Sequence, residues 1–120
     1  MLFAQQSDFY GTWTAKISED IETVLLEFTI TASSFIISFQ LYEDNDLIDD
    51  VFIEGIITAW VQISNRDNAT RNNYPEGFVI SLETDGSETQ IRFFISKDKR
   101  RFTIPEINAD FYEIIVFNKQ

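Results

Sequence analysis

Apolar and polar residues alternate with a period of two along almost the whole chain. That is the mark of strands with one face in a core and the other in water. Trp13, Ala15 and Ile17 alternate with Thr12, Thr14 and Lys16. Val24, Leu26, Phe28 and Ile30 follow, then Phe35, Ile37, Phe39 and Leu41. A longer run starts at Val51, with Val51, Ile53, Ile57, Ala59, Val61 and Ile63 on its inner face. Gly55 sits where that strand could bend or bulge. Phe78, Ile80 and Leu82 mark another strand, and Ile91, Phe93 and Ile95 the next. Phe102 and Ile104 form a short one before Pro105, and Phe111 to Phe117 the last. The pattern predicts no helix beyond a short turn around Ser7 to Tyr10.

Turn chemistry joins these runs in sequence. Asp85-Gly86 between two alternating segments is the strongest short hairpin signal. The segment "SKDKRR" reads as a polar hairpin tip, and "NRDNATRNNYPEG" as the longest loop. The segment "YEDNDLIDD" reads as a solvated acidic loop. About eight strands joined mostly by short connections predict an all-β fold over residues 1–120 as a single domain. The expected form is an antiparallel up-and-down barrel without a C-terminal helix, because closure removes exposed sheet edges. The alternative is a two-sheet β-sandwich with the same alternation and Greek-key connections.

Charge narrows the partners. The formal net charge is -11, which repels phosphate backbones and anionic membrane surfaces. The basic cluster of Lys97, Lys99, Arg100 and Arg101 falls in an expected turn, so nucleic acid is not an expected partner. No apolar run is long enough for a membrane-spanning helix. Leu2 and Ala4 are spaced like the end of a signal peptide. Residues 1–6 are accordingly expected to be flexible or a signal-peptide remnant of a secreted or periplasmic protein. The other reading is a natural start with a short apolar lead-in, which leaves the cytoplasm open.

Gly11-Thr12-Trp13, preceded by Asp8-Phe9-Tyr10 and opening the first strand, resembles the Gly-x-Trp signature of the lipocalins and their calycin relatives. The resemblance is close over the first strand and elsewhere extends to strand number and order. It implies a Trp closing one end of the barrel and an entry through a short helical turn. It also implies an apolar ligand inside. The family often stacks a late Arg on that Trp; here the last strand offers Lys119, so such an Arg would have to come from Arg92, Arg100 or Arg101.

The residues offer little reactive chemistry. There is no His and no Cys, which removes the commonest general base, thiol nucleophiles and most zinc sites. The expected inner faces carry no acid for hydrolysis, so the chain is read as no enzyme, with no metal and no cofactor. Glu43, Asp44, Asp46, Asp49 and Asp50 lack the turn Gly and closing Glu of a calcium loop. Two functions remain. In the first, a small hydrophobic molecule binds inside the barrel against Ala15, Phe28, Phe39, Ile53, Gly55, Ile57, Ala59, Phe78 and Phe93. In the second, the barrel is filled with its own rings and works outside, on a protein partner or as a homodimer. Its expected patch is Leu25, Ile36, Ile56 and Trp60, apolar residues at outward positions; Phe52 and Phe94 break the outward pattern in the same way.

Overall fold

Three tight hairpins set the direction of the chain. Asp44 and Asn45 both take positive φ, as do Asp85 and Gly86, and Asp20 does so in the first hairpin. Each pair links strands whose flanking residues are directly opposed: Glu19 with Glu22, Glu43 with Asp46, Thr84 with Ser87. Two-residue turns with positive φ match the right-handed twist of paired strands, which is why Asp, Asn and Gly occupy them. The computed structural model of the chain describes residues 3–111 and 113–120. Leu2 of the signal-peptide spacing and Tyr112 of the expected last strand lie outside the described residues.

A 3-10 turn (Gln6–Phe9) leads into β1 (Gly11–Glu19), β2 (Glu22–Ile30), β3 (Ser34–Glu43) and β4 (Asp46–Ser64). Next come β5 (Glu76–Thr84), β6 (Ser87–Ile95), β7 (Arg101–Thr103), helix α1 (Pro105–Phe111) and β8 (Val116–Lys119). Every strand pairs antiparallel with its sequence neighbour, and β8 returns to β1 through Trp13 with Lys119 and Thr14 with Asn118. The eight strands form a closed up-and-down barrel, as the alternation predicts. None of the described helices is long and apolar enough to cross a membrane.

Two segments differ from the sequence reading. The acidic stretch after Tyr42 is no loop: it turns in two residues at Asp44-Asn45, and β4 begins at Asp46 rather than Val51. The last strand starts at Val116, because residues from Pro105 to Phe111 coil into α1. Pro105 suits the first helical position, where its missing N–H costs nothing. Ile104, Ile107 and Phe111 fall at helical spacing, Ile104 buried and the other two packed against the core. Asn108 anchors this corner, donating to the Thr103 hydroxyl at 2.9 Å and accepting from the Ile115 N–H at 2.7 Å.

The core is a column of rings. Trp13 is fully buried, its indole N–H donates to the Phe9 carbonyl at 2.9 Å, and its ring lies 4.5 Å from that of Phe102. Phe102 reaches Phe93 at 5.2 Å and Phe117 at 5.1 Å, and Phe28 meets Phe117 edge-on at 5.0 Å. Tilted and edge-on pairs of this kind add about 0.5–1.5 kcal/mol each beyond their buried area. Phe9, delivered by the 3-10 turn, closes the end against Trp60, Phe78, Phe93 and Phe102. The lead-in is fastened from Ala4 onward: Ala4 is buried, donates to the Glu76 carboxylate at 2.7 Å and accepts from the Gln62 amide at 3.0 Å.

The remaining connections are held by polar networks. In the long loop, Asn65 donates to the Thr70 hydroxyl and the Tyr74 carbonyl, and all three residues are buried. In the β6–β7 turn, Asp98 accepts from the Ser96 hydroxyl and the Arg100 N–H, with Arg101 at 3.8 Å. Those two hydrogen bonds, and then the charges of Arg101 and Arg100, hold the Asp98 carboxyl below its ordinary value. A depressed carboxylate stabilises the fold above its unfolded-state pKa, and that contribution fades as pH falls through the folded value. Amide exchange at Arg100 and Arg101 should therefore accelerate as pH drops below 3.8, once corrected for intrinsic rates. Asp98→Asn should abolish this acid step, and an unchanged step would assign it to another group.

Candidate functional site

Strand lengths are unequal, and the inequality creates the site. β4 pairs with β3 from Asp46 to Ile56 but with β5 only from Ile56 to Ser64. Its first ten residues therefore run past the end of β5, a free edge of roughly 30 Å at strand rise. β1 likewise meets β8 only at Trp13 and Thr14, so its second half also extends past closure. Four strands, β1 to β4, thus continue as an open wing beyond the closed ring.

Apolar side chains collect on this wing. Among the described residues most large exposed apolar side chains lie on β4, with Leu47 51%, Ile48 57%, Phe52 63% and Ile56 56% exposed. Register sorts them into two faces. Val51 and Ile53 oppose Phe39 and Ile37 on the inner face at the barrel mouth. On the outer face Phe52 opposes Ser38, Glu54 opposes Ile36 and Ile56 opposes Ser34. Ile36 therefore has Phe52 and Ile56 as its diagonal neighbours, within reach of long side chains.

The expected patch is brought together in part. Ile36 and Ile56 are neighbours, and Phe52 completes their group. Leu25 pairs with Lys16 and Gln40, well along the sheet from Ile36, and lines a cleft of about 390 Å³ with Thr14, Glu27 and Ser38, the last of these the cross-strand partner of Phe52. Trp60 leaves the patch altogether. A bulge between Ile57 and Ala59 adds one residue to β4 and reverses its facing. Trp60 consequently turns its ring to Phe78 at 5.5 Å and donates its indole N–H to the Ala32 carbonyl at 2.9 Å.

The same bulge corrects the inner face. Ala59 and Val61 are exposed on the outside, whereas Gln62 pairs with the inward Phe78. The bulge falls three residues after Gly55, which has another use: a Cβ there would stand 2.5 Å from the Phe35 ring. Of the small inward positions, Gly55 is thus covered by Phe35, Ala59 faces out, and Ala15 is buried. Phe28, Ile57, Phe78 and Phe93 are buried in the core, while Phe39 is half-buried and Ile53 is 39% exposed at the mouth. Phe94 points outward but is buried, on the strand against which α1 lies. Glu106 of α1 accepts from the Arg92 guanidinium of that strand at 3.0 Å.

The closed end carries the remaining signature. Lys119 of β8 sets its ammonium 5.3 Å from the centre of the Trp13 ring, where a late Arg would otherwise be sought. No family model and no curated protein matches the chain. The wing is the candidate site. The signal that would have revealed it is Asp44-Asn45, a pair suited to a two-residue turn, overshadowed by the acids around it.

Proposed function

We propose that this barrel is a non-enzymatic docking module that binds a protein partner through the exposed β3–β4 hairpin. One observation carries the reading: Ile36 of β3 and Phe52 and Ile56 of β4 form an apolar group on the outer face of a strand pair that continues past the barrel. Exposed apolar groups on extended strands are costly to keep in solution and mark interaction surfaces. The interior favours the same reading, since its rings lie 4.5–6.3 Å apart from one end to the level of Phe28.

A second reading is supported by the mouth. Ile17, Val24, Ile37 and Phe39 pack against the core while remaining partly accessible, and Val51 and Ile53 extend that apolar lining. A small hydrophobic molecule would bind there, with its polar end in water. The lipocalin-like kinship belongs with this reading and rests on Gly11-Thr12-Trp13, the buried Trp13 and the Lys119 contact. A secreted or periplasmic location rests on the Leu2 and Ala4 spacing alone.

A neutral apolar dye, Nile red, separates the two. Under the docking reading, Phe52→Ser combined with Ile56→Ser lowers dye fluorescence at saturation by about fivefold or more, with circular dichroism unchanged. Under the second reading Phe39→Ser produces the loss and the outer pair does not. An undiminished signal in the outer pair would remove the docking site.

A further inference from the structure

The free edge of β4 presents its backbone as well as its side chains. In an antiparallel pair, alternate residues direct both N–H and C=O to one neighbour, and the residues between direct theirs to the other side. The Ile57 N–H donates to the Ser33 carbonyl next to β3, so odd-numbered residues of this segment bond toward β3. The N–H of Asp50 instead meets the Asp49 carboxylate at 2.9 Å. Asp50, Phe52 and Glu54 therefore direct their backbone groups to the open edge, where β5 has ended.

Charge then selects the occupant. From Ile17 to Asn65 the chain has ten acidic side chains and not one Lys or Arg. Asp50 and Glu54 stand on the outer face of the edge, flanking Phe52, whereas Val51 and Ile53 stand on the inner face. A second copy of the chain would bring the same acids to the same edge, which disfavours self-pairing. A complementary strand carries bases on one face and apolar residues on the other.

We propose that the β4 edge from Asp50 to Glu54 accepts, by strand addition, an extended basic–apolar segment of a partner protein. Its Lys or Arg side chains lie opposite Asp50 and Glu54 on the outer face. Its apolar side chains cover Val51 and Ile53 on the inner face. Main-chain hydrogen bonds supply the grip and the alternating side chains the choice of partner, as in other strand-addition complexes. The inference rests on the docking reading and adds to it the partner's chemistry and geometry.

The test uses the full chain and a synthetic peptide of about ten residues alternating Lys with Val, with a Glu-for-Lys peptide as control. The Lys peptide should slow amide exchange at Phe52 and Glu54 by about tenfold or more, and the Glu peptide should leave it unchanged. Phe52→Pro removes an edge-facing N–H and should abolish binding, whereas Phe52→Ser keeps that N–H and, losing only the ring, should weaken the protection at Glu54 without abolishing it. Light scattering should show a monomer before peptide is added. Equal protection by both peptides, no protection by either, or a dimer already protected at Phe52 and Glu54 would each overturn the proposal. If protection fails while Phe52→Ser with Ile56→Ser still loses dye binding, the docking reading stands and strand addition does not.

Discussion

Trp13→Ala is expected to lower the free energy of unfolding by about 3–5 kcal/mol, the range for truncating a large core aromatic. Trp13 has no exposed surface, and its ring is in contact with Phe102, which also packs on Phe9, Phe28, Phe93 and Phe117. Removing the indole also leaves the Phe9 carbonyl without its donor, a further loss on the order of 1 kcal/mol. The 3-10 turn that carries Phe9 into the barrel end should loosen along with it. Urea titration followed by circular dichroism measures the loss. Trp13→Phe should recover part of the packing but not the hydrogen bond, placing it between the two. A Trp13→Ala protein within about 1 kcal/mol of the parent would mean that the ring column is not the keystone of the fold.

Gly77→Ala should be as damaging, for a different reason. A Cβ at Gly77 would overlap the Phe93 carbonyl oxygen and stand 2.7 Å from its carbon. Both are main-chain atoms of β6 paired to β5, so no side-chain rotation can relieve the overlap. The two strands would have to separate where Phe78, Phe93 and the 3-10 turn meet. The expected cost is more than about 3 kcal/mol, above the 1–3 kcal/mol of ordinary overpacking. Thermal unfolding should show a large fall in Tm or an absence of folded protein. Gly86→Ala provides contrast: nothing lies within 4 Å of its Cβ, so only the positive φ of 80° opposes it. Equal damage from both substitutions would contradict the close-approach argument.

Why the barrel could be read from the chain, and the wing could not, follows from what each signal depends on. Period-two alternation is local, so β1, β2, β3, β5 and β6 appear wherever apolar residues recur at every second position. Asp85-Gly86 specifies its own turn, and the Trp13 burial follows from its parity with Ala15 and Ile17. The bulge near Thr58 is not local: it shows only in the pairing of β4 with β5, and it turned Ala59 and Trp60 to faces opposite those expected. The stretch from Asp46 to Asp50 reads as a loop because acids dominate it, yet its pairing with β3 makes it strand. Helix α1 was hidden by a stretch in which Ile104, Ile107 and Phe111 match a helix and the residues after them match a strand. The extent of the free edge depends on where β5 stops, a property of two strands together.

The central claim is that this barrel binds through the β4 wing and not through its ring-filled interior. Nitrogen–proton correlation spectra of the labelled chain, recorded during titration with Nile red, test it most directly. Shifts are expected at the amides of Ile36, Phe52, Glu54 and Ile56 on the outer face, with the Trp13 indole N–H unmoved in its bond to Phe9. Shifts at Trp13, Phe28 and Phe93, with the β4 wing unmoved, would contradict it and locate binding inside the barrel.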